Sequence, residues 1–95
     1  MPAYVIVDAD VSDMDAYQAY LAASPGAIAS GGGRFIARGG KTVTLEGEWH
    51  PRRVVVLEFE SLEAARQWYA SEDYQTAKGL REGIAELKMI AVEGV

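Results

Sequence analysis

The chain has 95 residues, 49% of them apolar, and a formal charge of −5 with a pI near 4.7. That length makes one domain, 1–95, and an acidic balance with only three lysines disfavours a nucleic-acid binder, which needs a basic face. With no cysteine there is no disulfide framework, no thiolate chemistry and no zinc–sulfur site.

No apolar run approaches the ~18 residues of a membrane span. Met1-Pro2-Ala3-Tyr4 does not read as a basic segment followed by an apolar one, so the expected compartment is the cytoplasm. Residues 3–9 (AYVIVDA) predict a strand with apolar side chains on both faces, Tyr4 and Ile6 against Val5 and Val7. Ser12 or Asp13 then caps a helix whose buried stripe is Met14, Tyr17, Tyr20 and Leu21. Ser24-Pro25-Gly26 reads as a restart or kink, and Gly31 to Gly33 as the stop.

Residues 34–38 (RFIAR) predict a short strand and Gly39-Gly40 a tight turn. Thr42 to Leu45 then predicts a further strand, forming a hairpin with the one before. Residues 46–51 (EGEWHP) form a loop into the central strand, 53–60. Ser61 caps the next helix, with Glu63 in its first turn and a stripe of Leu62, Ala65, Trp68 and Tyr69. Ser71 reads as a second cap, so the helix breaks there and restarts through Tyr74, Ala77 and Leu80. Residues 86–93 predict the last strand.

This order is two split βαβ units, the ferredoxin-like α+β arrangement: an antiparallel sheet with both helices on one face. In the central strand Val55, Leu57 and Phe59 oppose Val54 and Val56. Helices cover one of those faces only. A large bare apolar face marks an interface, so the expectation is a two-fold homodimer whose sheets pack face to face.

The run from Gly32 to Gly40, then Leu45-Glu46-Gly47, Arg53-Val54-Val55, and Trp68-Tyr69 with Ser71, Tyr74 and Arg81, resembles the domain-of-unknown-function 1330 family. That family lies in the dimeric α/β-barrel superfamily. The resemblance spans essentially the whole chain and implies a ferredoxin-like fold and a face-to-face dimer, but no particular activity. Relatives by fold include cofactor-free monooxygenases, muconolactone-type isomerases, haem-dependent enzymes and ligand-sensing domains, and any function taken from them is analogy.

The candidate chemistry is sparse. His50 is the single histidine and a candidate general base or haem ligand at a pocket mouth, with Glu46 or Glu48 to orient it; the plain alternative is an exposed loop residue. Arg38, flanked by glycine, is a candidate clamp for a small organic acid, or else pairs with Glu46 or Glu58. Tyr20, Trp49 and Tyr69 are candidate lining for a pocket between helices and sheet, and Tyr17, Trp68 and Tyr74 bring further aromatic bodies there. Asp8 and Glu58 are buried acid–base candidates or rim residues, and Arg66 and Arg81 read as surface salt-bridging residues. The triple glycine lacks the following Gly-Lys-Ser/Thr of a phosphate loop, no metal-ligand spacing occurs, and no cofactor is expected. Two readings follow: a protein binding a small organic or aromatic acid, by analogy a cofactor-free isomerase or monooxygenase, and a non-catalytic dimeric sensing or partner-binding module.

Overall fold

The computed structural model describes residues 1–95. Its elements are β1 (Ala3–Val11), α1 (Met14–Ser30), β2 (Arg34–Arg38), β3 (Val54–Phe59), α2 (Leu62–Ala70), α3 (Glu72–Gly79) and β4 (Ala85–Glu93). The four strands form one antiparallel sheet in the order β2-β3-β1-β4. This is the ferredoxin-like α+β fold. All three helices contribute buried side chains to the core. It holds Val5, Val7, Leu57 and Phe59 from the sheet, and Tyr17, Ile28, Trp68 and Tyr74 from the helices.

Local chemistry accounts for the helix ends. Asp13 accepts from the Ala16 N–H at 3.0 Å and Ser61 from the Ala64 N–H at 3.0 Å, each satisfying a donor that the first turn leaves free. Ser71 acts on two helices. Its hydroxyl donates to the Trp68 carbonyl at 2.6 Å, closing α2, and accepts from the Tyr74 N–H at 3.2 Å, opening α3.

Three expectations need correction. The helix does not restart at Pro25: α1 runs unbroken through it. Met14 is not part of the buried stripe but 45% exposed, and α1 buries Tyr17, Tyr20, Ser24, Ala27 and Ile28 instead. Thr42–Leu45 is not a strand. Its backbone does not add to the free edge of β2, which pairs with β3 alone, and Thr44 bonds within its own loop, donating to the Trp49 carbonyl at 2.8 Å.

β2 carries an irregularity that matters below. Phe35 lies opposite Leu57, Ala37 opposite Val56 and Arg38 opposite Val55, so Ile36 is an extra residue, a β-bulge. In an unbroken strand, residues three apart point to opposite faces. The bulge puts Phe35 and Arg38 on the same face, the one beneath the helices.

Candidate functional site

A small crevice of about 30 Å³ lies between α1 and the sheet. That is room for a water or two. Its walls are apolar, with Val7, Val55, Leu57 and Ile28 among them, and its polar groups belong to Tyr17, Tyr20, Ser24, Arg38 and Arg53. Trp68, Leu87 and Met89 form the far wall and also line a wider groove of about 470 Å³ between α2 and β4. The sheet order sets the polarity of this space: Arg38 comes from one edge strand, β2, and Leu87 and Met89 from the other, β4.

Arg38 is held by three features of the sequence. The bulge turns it inward. Its guanidinium lies over the Phe35 ring, 4.5 Å from the centroid. And its Nη2 donates to the Leu21 carbonyl at 2.9 Å. That carbonyl lies four residues before Pro25, whose missing N–H leaves it without its helical partner. The proline that α1 tolerates thus supplies a docking point for the arginine.

Arg53 enters beside it, just before β3. Its side chain forms no ion pair, and its buried Nε has no hydrogen-bond partner. Gly39, at φ +69°, lies against this guanidinium, and a Cβ there would collide with it. No aspartate, glutamate or histidine lines the crevice. The single ion pair of the chain joins Arg34 to Glu58 at 2.6 Å on the other face. That pairing takes Glu58 from Arg38, and Glu46 is exposed in the loop, so neither expected salt bridge to Arg38 forms. Asp8 accepts from the Arg52 N–H at 3.1 Å, a structural bond at the rim.

Arg81 is not a surface residue. It is 8% exposed and lies 5.4 Å from the Tyr20 ring centroid, its Nη2 donating to the Tyr74 hydroxyl at 3.2 Å. The Tyr74 and Tyr20 hydroxyls are 2.9 Å apart. Burial disfavours the charge of Arg81, but the hydrogen bond with Tyr74 and the phenols around it outweigh this, and its pKa rises above the usual value. Burial pushes Tyr17 upward from a value near 10, against the fields of Arg81, Arg53 and Arg38. Burial, then the hydrogen bond with Tyr74, pushes Tyr20 up as well. Both phenols are donors at neutral pH.

These shifts have a measurable consequence. Below pH 10 both phenols are protonated in the folded and unfolded chain, so their contribution to stability is fully present. Above that pH the unfolded chain ionises first and binds fewer protons than the native one, so stability falls as pH rises toward the raised native pKa. In an alkaline titration followed by phenolate absorbance, Tyr17 and Tyr20 ionise only as the fold melts. Gradual ionisation of Tyr17 and Tyr20 ahead of unfolding would contradict these environments.

The family model described as Domain of unknown function (DUF1330) matches residues 2–95. The chain belongs to the DUF1330 family. No curated protein matches it. Among solved structures, this DUF1330 protein is similar to a protein of unknown function from Rhodopseudomonas palustris, with TM-score 0.77 and 19% identity over 99% of this chain and 82% of that one. It is similar to a dimeric ferredoxin-like protein of unknown function from Jannaschia sp. CCS1, with TM-score 0.70 and 16% identity over 99% of this chain and 100% of that one. It also matches a cofactor-independent oxygenase from Streptomyces nogalater, with TM-score 0.66 and 12% identity over 99% of this chain and 93% of that one. At these identities the likeness is one of fold.

In the DUF1330 chain the crevice brings together two of the expected site residues, Arg38 and Tyr20. Tyr69 lines the groove beyond Trp68. The other three remain on the loop between β2 and β3, none of whose residues from 39 to 52 lines the crevice. Glu46 and Trp49 line a shallow groove with Pro51 and Val54, Trp49 being 66% exposed. His50 is exposed, its Nδ1 3.2 Å from the Thr44 hydroxyl, with no carboxylate to orient it. Arg53, Arg81 and Ser24 were not marked as site residues by the sequence. One signal for Arg81 was there: it lies seven residues after Tyr74, about two helical turns on, just past the end of α3.

Proposed function

We propose that this protein is a homodimer that binds a small organic or aromatic acid in the crevice between α1 and the sheet. One observation carries the reading. In a chain with 14 acidic and 9 basic residues, two arginines converge on an apolar crevice and neither has a carboxylate partner. Arg53 is half-buried, and a half-buried guanidinium normally has one, because desolvating a charge is costly without it; Arg38 is exposed at the mouth, its one hydrogen bond being to the Leu21 carbonyl. The missing carboxylate belongs to the ligand, held by the bidentate geometry that arginine offers.

The acid is larger than the 30 Å³ of the closed crevice. Its apolar body therefore extends from the arginines toward β4, displacing Leu87 and Met89 toward the groove behind them. Met89 is unbranched and adapts readily to such a change. Binding is favoured over acid–base catalysis. An isomerase needs a base poised near neutral pH, and the titratable phenols of the crevice are pushed away from it. The kinship with a cofactor-independent oxygenase and with a putative antibiotic biosynthesis monooxygenase from Nitrosomonas europaea leaves oxygenation as the chemistry to assay once a ligand is known.

The dimer reading rests on the face of the sheet opposite the helices. Tyr4, Ile6, Val54, Val56, Ile90 and Val92 share that face by register, and Ile90 is 65% exposed. Similar structures from Jannaschia and Thermobifida fusca are described as dimeric.

Titration with benzoate, read by calorimetry, tests the site. Arg38→Ala or Arg53→Met removes a charge-assisted contact and weakens binding roughly ten- to hundred-fold. Benzamide, the same shape without the charge, binds correspondingly less well. Equal affinity for the two compounds would overturn the acid reading.

A further inference from the structure

The geometry points to a one-way hydrogen-bond relay, from Arg81 through Tyr74 to Tyr20, that leaves the Tyr20 hydroxyl free to donate to an anionic oxygen in the crevice. This rests on the acid-binding reading and adds a second donor, and a direction, to it.

The direction follows from counting protons. Arg81 has donors only, so at the 3.2 Å contact the Tyr74 oxygen accepts. Tyr74 is fully buried, and its hydroxyl has one other partner, the Tyr20 oxygen at 2.9 Å. Were Tyr20 the donor there, the Tyr74 proton would be left in the aromatic cluster formed by Trp68, Tyr69 and Tyr20, with no acceptor. Buried hydroxyls rarely go without a partner. Tyr20 is buried too, but it lines the crevice, where a water or ligand can take its proton, and Tyr74 does not; Tyr74 therefore donates to Tyr20. The Tyr20 oxygen is occupied as an acceptor, and its own proton has no acceptor in the protein, because the Tyr74 hydroxyl is the donor of their bond and the neighbouring Arg81 has donors only.

Tyr20 lines the crevice together with Arg38 and Arg53. Its proton and their guanidinium groups are thus the donors of one space that contains no acidic side chain. An oxygen that accepts several hydrogen bonds and carries no proton fits this set: a carboxylate, or the enolate or phenolate of an aromatic acid. A neutral alcohol fits less well: its proton could go only to the Ser24 or Tyr17 oxygen, and it brings no charge to the guanidinium groups. The relay also polarises the phenol. The positive charge of Arg81 draws on Tyr74, which becomes a better donor, and successive bonds in such a chain strengthen one another. Arg81 and Tyr74 are positioning residues in this scheme, and Tyr20 makes the contact.

A double-mutant cycle with benzoate as the probe tests it. Tyr20→Phe weakens binding about ten-fold, the loss of one hydrogen bond to a charged group. Tyr74→Phe, which keeps the ring and removes the relay, weakens it by a smaller factor. In the Tyr20→Phe background the Tyr74→Phe change has no further effect, because it acts through the hydroxyl already removed. A residue that merely shaped the crevice would weaken binding in both backgrounds. Proton NMR of the unaltered protein gives an independent reading. The benzoate complex shows a slowly exchanging hydroxyl proton with a cross-peak to the benzoate ring, absent in Tyr20→Phe. Full additivity of the two changes, or no effect of Tyr20→Phe on binding that Arg38→Ala weakens, overturns the relay and leaves the acid reading standing. No saturable binding of benzoate or smaller carboxylates by the unaltered protein overturns both.

Discussion

Trp68→Ala leaves this protein at the edge of unfolding, with a loss of about 3–5 kcal/mol. Typical domains hold only ~5–15 kcal/mol in total. Trp68 is 3% exposed and joins the layers of the fold: its ring centroid lies 5.1 Å from that of Phe59 on the sheet and 4.4 Å from that of Tyr74 on α3. The end of α1 is shaped to it as well, since a Cβ on Gly31 would come within 2.8 Å of the Trp68 Cβ. Removing the indole also merges the crevice with the groove behind it, so the void is larger than the side chain alone. Urea denaturation measures the loss directly, and Trp68→Phe recovers much of it. A cost below about 1 kcal/mol for the alanine change would mean that the layers are held together elsewhere.

Ile6→Asp turns the dimer into monomers without disturbing the protomer. Ile6 is on the central strand β1, opposite Val56 of β3 on one side and Ile90 of β4 on the other, in the middle of the face left uncovered by the helices. In a two-fold interface each substitution appears twice. Two carboxylates enter an apolar contact with no partner there, and the dissociation constant rises on the order of a thousand-fold. In the protomer the same position faces water, so the circular dichroism spectrum is unchanged. Sedimentation velocity at micromolar concentration distinguishes the states. An unaltered protein that sediments as a monomer there would overturn the dimer reading.

The fold was legible because its signals are local and repeated. Alternation in β1 and β3 exposed two apolar faces, and Ser71 marked the break between α2 and α3 because one hydroxyl can cap in either direction. The site was legible only in part. Arg38 stood out for its glycine neighbours, but what orients it is a bulge, and a bulge depends on the pairing of β2 with β3, which no pattern within the strand reveals. Pro25 was visible as a feature of α1, yet its effect is felt seventeen residues away from the freed Leu21 carbonyl, at Arg38. Arg81 carried a misleading signal. Arginine after an amphipathic helix ordinarily faces water, and here it is enclosed by Tyr20 and Tyr74 from two different helices. Thr42–Leu45 had strand-forming residues, but Thr44 bonds within its own loop and the segment does not add to the open edge of β2, so context overrides propensity.

The bulge at Ile36 bears on how such a site survives changes in chain length. Remove Ile36, and Phe35, Ala37 and Arg38 still fall opposite Leu57, Val56 and Val55, now in an unbroken ladder. Keep it but iron out the bulge, and Arg38 falls opposite Val54, whose side chain points away from the crevice. Parity with β3, and not the number of residues between Phe35 and Arg38, is what aims the arginine. A relative one residue shorter here can keep the same inward guanidinium, while an alignment that tolerates no gap would misalign every residue on one side of the bulge.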